Sequence, residues 1–259
     1  MADWPGTPPM DSVALRSPAL PAAEPMASLM LDQGDPPFIH EFADKHQIFR
    51  IRSADTDGHR SSVSMLVDKM YAWRKYDFPT SAPQQSHDPN RIVLVIYDLD
   101  HPIATATLGL DSEIGLLADE LYKDESDQLR GDGRRLCEMT KLAVEHVVRS
   151  KRVLASLFHI ALIYARHLHN RDDCLIEINP RHVKFYEAMM GFQAMGEAKV
   201  CRRVSAPARL MRLNLEMADG KIQAYGGHGE NCSGERSLYP YFFSKAEEAG
   251  IIGRLRALD

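Results

Sequence analysis

A stretch of 57 residues, 134–190, contains no glycine, and it constrains the fold more than any other feature of the chain. Glycine supplies most tight turns and close backbone approaches, so its absence indicates regular elements joined by bulky connections. The hydrophobic pattern predicts a strand over 134–144, a long apolar helix over 153–169 and a second strand over 174–178. Another helix is predicted to begin at Asn179. This order of strand, helix, strand and helix is typical of an α/β sheet protein.

The rest of the chain predicts one domain with a tail at each end. The remaining predicted elements are an extended segment over 47–52, a helix over 62–73, a hairpin of strands over 91–97 and 103–110, a helix within 111–130, and closing strands over 192–201 and 208–215. Residues 1–38, rich in Pro, Ala, Ser and Met, predict a disordered or loosely packed leader. Residues 217–259 predict a Gly-rich loop over 219–237, then a short helix that starts at a Ser244 capping box and packs on the domain 39–216. We therefore expect a mixed central sheet flanked by helices, of α/β (α+β) class.

Composition argues against several functional classes. The formal net charge of -5 argues against nucleic acid as a partner. The sequence contains no run of about 18 apolar residues, so no membrane span is predicted. The first residues lack the basic start and apolar stretch of a signal peptide, so a cytoplasmic protein is expected. The four cysteines are scattered and the eleven histidines form no metal-ligand motif. Reduced thiols and no metal site are expected.

Glu138 is the first candidate for catalysis. It lies in the predicted strand among apolar residues, where a carboxyl group must find a partner or shift its pKa. One interpretation is an ion pair across the sheet, with Lys141 or an arginine. The other is a base that deprotonates an incoming ammonium group, directly or through a water.

Asn179 and Tyr186 are candidates in the last helix of the glycine-free stretch. Asn179 caps free amides and Pro180 suits the first helical position, so capping alone explains Asn179. Tyr186 follows after about two helical turns and therefore lies near the same face. A helical tyrosine often only packs, so packing alone also explains Tyr186.

A basic turn containing Arg149, Lys151 and Arg152 precedes the long helix. Such a run is usually a solvated turn. A local basic rim on an acidic protein also suits the docking of an acidic partner. Four more arginines extend this basic set: Arg134, Arg135, Arg202 and Arg203.

Several segments together resemble known acyltransferases. Asn179-x6-Tyr186-x4-Gly-Phe after an apolar strand is similar to the last motif of the N-acetyltransferase (GNAT) superfamily, and Glu138-x-x-Lys141 resembles the Glu-x-x-Arg motif of acyl-homoserine lactone synthases. A more specific resemblance, over residues 47–215, is carried by Met70-Tyr-Ala-Trp-Arg74, Leu108-Gly-Leu-Asp-Ser112, Gly115-Leu-Leu-Ala-Asp119, Leu136-Cys-Glu-Met-Thr-Lys-Leu-Ala143, Leu157-Phe-His159 and Ile178-Asn-Pro-Arg-His-Val183. These segments resemble the long-chain N-acyl amino acid synthases, including the N-acyl tyrosine synthases.

The resemblance implies a GNAT-like acyl-CoA N-acyltransferase fold and the transfer of a long acyl chain from acyl-carrier protein to the α-amine of an amino acid. Glu138 would help remove the amine proton, and Tyr186 or a water would protonate the leaving sulfur. The backbone amides that would orient the thioester and its pantetheine arm belong to Met139, Thr140, Lys141, Leu142 and Ala143.

Further residues are candidates for the substrates on the same grounds. Trp73 and Arg74 are candidates for the acceptor side, with Arg74 pairing with the carboxylate; a core anchor and a surface charge are the alternatives. Phe158 is expected in the core or along a tunnel for the acyl chain, and Asn179 is a candidate for substrate binding. Docking of the carrier would fall to the basic turn with Arg149, Lys151 and Arg152.

The absence of glycine between the first strand and the long helix indicates which thioester donates the acyl group. Members of the superfamily that use coenzyme A normally keep a Gly-rich turn between this strand and helix, because backbone amides must approach a pyrophosphate closely. A carrier-bound pantetheine has no nucleotide pyrophosphate, so acyl-carrier protein is the expected donor, with acyl-CoA as the other thioester to consider and no tightly bound cofactor. The alternatives are a coenzyme A-dependent N-acetyltransferase, an acyl-homoserine lactone synthase-like enzyme and a non-catalytic acyl- or carrier-binding module. Lys141 lacks the planar fork of an arginine, which argues against the second.

Overall fold

The computed structural model describes residues 38–44, 47–54, 57–73, 88–145 and 150–257. The predicted leader over 1–38 therefore lies almost entirely outside the described residues. The strands are β1 (His40–Asp44), β2 (Gln47–Ser53), β3 (Arg91–Asp98), β4 (His101–Leu110), β5 (Leu136–Val144), β6 (Asp173–Ile178), β7 (Gln193–Cys201) and β8 (Ala206–Asn214). The helices are α1 (Asp57–Trp73), α2 (Asp119–Gly131), α3 (Lys151–Leu162), α4 (Val183–Met190), α5 (Leu215–Tyr225) and α6 (Lys245–Arg256).

The eight strands form one sheet in the order β1-β2-β3-β4-β5-β6-β8-β7. Within the described chain, β5 and β6 pair in parallel and the other neighbours are antiparallel. A parallel pair needs a long crossover, which α3 and its π-helical continuation Ile163–Leu168 provide. The strand–helix–strand–helix core predicted from the glycine-free stretch is thus confirmed. The stretch ends at Gly191, whose φ of 78° terminates α4 in the left-handed conformation that glycine adopts without strain.

Helices cover both faces of the sheet. On β3, Leu94 packs in the core shared with α3, α5 and α6, whereas the next residue, Val95, packs against α1. Side chains alternate between the two faces of a strand, so α1 and α3 lie on opposite faces. Leu136 packs under α2 and its neighbour Cys137 packs on the α3 side. The two faces are called here the α1/α2 face and the α3 face.

The structure differs from the sequence-based expectation in two places. Helix α5 occupies the first part of the predicted Gly-rich loop, because Leu215, Ala218 and Ile222 form one buried helical stripe. Strand β1, paired antiparallel with β2, has no counterpart in the predicted elements. The Ser244 capping box at the start of α6 is present as predicted. No helix among the described residues has both the length and the apolar content to cross a membrane.

Candidate active site

The centre of the candidate site is an opening between β5 and β6. The two strands pair over only three residues of β5, Leu136 to Glu138. Beyond Glu138, β5 remains paired with β4 as far as Val144, and β6 remains paired with β8 as far as Ile178. The strands therefore separate from each other inside the sheet, and their facing backbone groups have no strand partner in the described chain. Backbone amides and carbonyls require hydrogen bonds, so an extended ligand is able to insert here.

A β-bulge shapes the β5 side of this opening. Lys141 and Leu142 lie opposite the single residue Ala106 of β4. Lys141 has a φ of 51°, a left-handed conformation that is unusual for a residue with a Cβ atom. Bulges bend a strand and redirect its side chains, and they recur next to active sites. Lys141 is exposed as a residue, although partial burial of its ammonium, with the nearby Arg91 charge, lowers its pKa.

The Glu138 carboxyl group is buried and held by backbone amides. The residue is 2% exposed; its Oε1 accepts a hydrogen bond from the Leu117 amide (2.9 Å) and its Oε2 accepts one from the Ala118 amide (3.0 Å). Gly109 on β4 leaves the necessary space, since a Cβ atom there would lie 3.1 Å from the Glu138 Cγ. Burial raises the pKa of Glu138, although the two amide hydrogen bonds act in the opposite direction. A fixed carboxylate with raised proton affinity suits a general base.

A second carboxyl group, which the sequence analysis missed, lies beside it on β6. Glu177 is two residues beyond Leu175, the parallel partner of Glu138, and so shares its α1/α2 face. Glu177 Oε2 accepts a hydrogen bond of 2.5 Å from Arg203, while Oε1 is buried and has no hydrogen-bond partner among the described residues. Burial raises the pKa of Glu177 against the effect of Arg203, and the Glu138 charge raises it further. The sequence signal was present, because Glu177 also interrupts an apolar strand.

The other predicted residues of β5 lie along the opening but face different sides. The Thr140 hydroxyl is buried and has no hydrogen-bond partner in the described part of the chain. Met139, 5% exposed, belongs to the core on the α3 face, with Leu142 packed against that core. Ala143 is buried against the α1 side. The backbone of this segment therefore borders both faces.

Tyr186 is held on the α3 face by aromatic contacts. Its ring meets that of Phe158 edge-on at a centroid distance of 6.4 Å and that of Phe192 at 5.8 Å. Phe158 is 1% exposed and lies in the core with Met139, so Tyr186 is on the opposite side of the sheet from Glu138. Asn179 is a cap, as predicted from its local sequence: its side-chain oxygen accepts a hydrogen bond from the Arg181 amide at 3.2 Å.

The N-terminus of α3 is capped by the protein itself. Ser150 Oγ accepts a hydrogen bond from the Val153 amide at 3.1 Å and donates one to Asp44 at 2.5 Å. A carboxylate at this position compensates the positive end of the helix dipole. The Val153 amide is thus already bound, unlike the free amides that cradle a phosphate.

The basic residues predicted to form a rim differ in the contacts that they make. Lys151 is exposed, with its ammonium 5.0 Å from the centre of the Tyr241 ring. Arg152 instead donates to the carbonyl oxygens of Tyr241 (2.9 Å) and Phe242 (2.8 Å), which joins α3 to the C-terminal segment. The ion pairs of the additional arginines are Arg134 with Asp173, Arg135 with Asp172 and Arg203 with Glu177.

The structure does not describe the side chains of three candidate residues. Arg74 and Arg149 lie outside the described residues, and Trp73 is the last residue of α1 with a side chain that is not described.

The described residues place two different chemistries on the two faces of the sheet. Two carboxyl groups lie on the α1/α2 face, and a tyrosine lies on the α3 face. An acceptor and a donor that approach from opposite faces would meet between β5 and β6, with carboxyl groups on one side and a phenol on the other. Such an arrangement is suited to acyl transfer from a thioester to an amine.

Comparison with known proteins finds solved structures that are similar to this chain. FeeM, an N-acyl amino acid synthase from uncultured soil microbes, is 26% identical with a TM-score of 0.62, over 67% of this chain and 95% of that one. An N-acetyltransferase from Staphylococcus aureus Mu50 is 17% identical with a TM-score of 0.46, over 65% of this chain and 98% of that one. A probable acetyltransferase from Staphylococcus epidermidis ATCC 12228 is 14% identical with a TM-score of 0.47, over 64% and 98%. No curated protein matches this chain.

The predicted fold and family are confirmed. The open mixed sheet with flanking helices is the GNAT-like acyltransferase fold, and the chain is an acyltransferase. The family model "N-acyl amino acid synthase FeeM" matches residues 62–214, which is more than half of the chain and includes the whole opening. The chain belongs to the N-acyl amino acid synthase FeeM family.

Proposed function

We propose that this protein moves a long-chain acyl group from acyl-carrier protein to the α-amine of an amino acid, in the bacterial cytoplasm, to give an N-acyl amino acid. The observation that carries the proposal is the opening between β5 and β6, with the buried Glu138 on one face and Tyr186 on the other. Family membership supports the same reaction class.

In the proposed reaction the acceptor arrives as an ammonium ion. Glu138 accepts one of its protons, directly or through a water, and the neutral amine attacks the thioester carbonyl carbon. The carbon–sulfur bond breaks, and the nitrogen releases a second proton to water as the amide forms. Tyr186 or a water donates a proton to the leaving pantetheine thiolate, so that the products are an N-acyl amino acid and a free thiol. General acid–base steps of this kind each contribute about 10²–10⁴-fold.

The thioester is proposed to lie along β5. The backbone amides from Met139 to Ala143, redirected by the bulge at Lys141, would orient the pantetheine arm and the thioester carbonyl. The buried Thr140 hydroxyl is the side-chain hydrogen-bonding group at this position. Positioning of this kind converts a bimolecular reaction into an effectively unimolecular one. Met139 and Phe158 would contact the acyl chain on the α3 face.

The choice of donor is supported by the capped N-terminus of α3. Ser150 Oγ already accepts the Val153 amide and donates to Asp44, so a nucleotide pyrophosphate at this end of the helix would lie near the negative charge of Asp44. A carrier protein is acidic and would dock by charge instead. Lys151 and Arg149 are proposed to contact it, because Arg152 is committed to backbone carbonyls of the C-terminal segment. Trp73 and Arg74 remain the proposed contacts for the acceptor.

Expression in a bacterium followed by mass spectrometry of the extracted lipids tests this function. N-acyl amino acids are expected from the wild-type protein and in far smaller amounts from Glu138→Gln. Glu187→Gln, which removes an exposed carboxylate from α4, is the matched control and should yield the wild-type products. A folded wild-type protein that yields no N-acyl amino acid, even when purified and supplied with long-chain acyl-carrier protein, would contradict the proposal.

A further inference from the structure

The Glu177 carboxyl group is a buried acidic group that the mechanism above does not use. Its side chain is only 12% exposed, and it lies on the part of β6 that has separated from β5. One oxygen, Oε2, is bound by Arg203. The other, Oε1, is buried and unpartnered within the described chain. Buried polar atoms almost always have partners, so an exception next to an opening calls for a ligand.

The charges around Glu177 indicate what kind of ligand would fit. Glu138 and Glu177 are two largely buried carboxyl groups, and the guanidinium groups near them also pair with other carboxylates. Arg203 contacts the exposed Glu120 at 3.2 Å, and Arg91, whose charge lowers the pKa of Glu138, is held by another carboxylate at 3.2 Å. If both buried groups are ionised, this face of the opening carries an excess of negative charge. A buried charge requires a compensating charge. The missing partner is therefore a cation that also donates hydrogen bonds, which describes a primary ammonium group.

The two carboxyl groups differ in what remains available to a ligand. Both Glu138 oxygens already accept backbone amide hydrogen bonds, which fix the group but occupy one acceptor direction on each oxygen. Glu177 is fixed through Oε2 alone, so Oε1 keeps its full accepting capacity. Glu177 is thus the better group to hold a donor in place, and Glu138 the better fixed group to receive a proton.

We propose that Glu177 binds the ammonium group of the acceptor amino acid through Oε1 and orients it between β5 and β6, while Arg203 holds Oε2. This assignment rests on the proposed function, since it places the acceptor of that same reaction. The ammonium donates one hydrogen bond to Glu177 and transfers a different proton to Glu138. The amine then keeps its position while its lone pair is freed for attack on the thioester.

The test compares the variant Glu177→Gln with the wild-type protein, using an amino acid that the wild type acylates and the α-hydroxy acid of the same side chain. In the wild type, the amino acid should compete for the acceptor site more strongly than the hydroxy acid, which lacks the ammonium. In Glu177→Gln this preference should shrink by roughly 10- to 100-fold, because a hydrogen bond to a charged group is lost. The KM for the acceptor should rise by a similar factor, and the KM for the acyl donor should stay within about twofold.

Glu120→Gln is the matched control, because it removes the other carboxylate bound to Arg203 from a more exposed position. Its acceptor KM should equal that of the wild type. An active wild type beside a Glu177→Gln variant with unchanged acceptor KM and unchanged preference for the ammonium overturns the assignment of Glu177 and leaves the proposed function intact. A folded wild type that acylates no amino acid overturns both.

Discussion

The substitution Glu138→Gln separates a catalytic role of this residue from a structural one. The structure gives Glu138 two tasks, because its carboxyl group lies at the opening and also binds the amides of Leu117 and Ala118. A glutamine has one carbonyl oxygen, so one of the two amides loses its acceptor. Leaving such a donor unpaired costs about 1–3 kcal/mol. For a domain of this size each kcal/mol lowers Tm by about 2–4 °C.

The expected loss of activity is much larger than this loss of stability. Removal of a proton acceptor should lower kcat/KM by roughly 10²–10⁴-fold, at a temperature well below the Tm of the variant. Burial raises the pKa of Glu138, so the wild-type activity should fall as the pH falls through a value above that of an ordinary glutamate. With the acceptor at saturation, so that binding through Glu177 does not limit the rate, this acid limb should be absent from the residual activity of Glu138→Gln.

Asp119→Asn is the matched control for the structural task. Asp119 Oδ2 accepts the Leu116 amide at 2.8 Å and pairs with Arg130 at 2.7 Å. Its replacement by asparagine weakens this ion pair and loosens the same turn, and it leaves the carboxyl group at the opening in place. We expect a similar fall in Tm and activity within about tenfold of the wild type. The measurements are thermal denaturation and product formation followed by mass spectrometry. If Asp119→Asn loses as much activity as Glu138→Gln, the base assignment is refuted and Glu138 only supports the turn.

Three further substitutions extend these tests. Gly109→Ala would bring a Cβ within 3.1 Å of the Glu138 Cγ and should displace the carboxyl group, lowering kcat/KM less than Glu138→Gln does; unchanged kinetics would contradict this. Tyr186→Phe keeps the ring contacts and should lower kcat by up to about 10²-fold with alkyl thioesters, and by much less with an aryl thioester, whose thiolate leaves without an acid. An equal loss with both thioesters would exclude the acid role. Lys141→Gly relieves a φ of 51° and should raise the free energy of unfolding by about 0.5–1 kcal/mol in denaturant titration; a decrease would show that the lysine side chain stabilises the bulge.

The core of the fold could be predicted from the sequence because its signals are local. Apolar strands, a long apolar helix and a helix start at Asn179 are each indicated by a few consecutive residues. The structure confirms the order of elements that these signals predict. Helix α5 was missed for a local reason as well. Gly220 lies within it and more glycines follow. This composition is typical of loops and predicted a loop, although three apolar residues at helical spacing indicated a helix.

The candidate site was harder to predict because its geometry depends on distant partners. Glu138 was identified from its apolar strand, but the amides that bind it lie about twenty residues earlier, on a turn. Arg152 was expected to face an acidic partner, whereas its guanidinium binds carbonyl oxygens 89 and 90 residues away. The bulge at Lys141 has no sequence signal, because lysine does not favour a positive φ. Glu177 did have the same local signal as Glu138.

The most direct test of the account is a comparison of two donors that carry the same long acyl chain, one on acyl-carrier protein and one on coenzyme A. The measured quantity is kcat/KM for N-acyl amino acid formation by the purified protein. The capped N-terminus of α3 and the glycine-free connection predict a clear preference for the carrier protein, weakened by added salt because docking depends on charge. Preference for the coenzyme A thioester, with tight binding of free coenzyme A at the start of α3, would contradict the account.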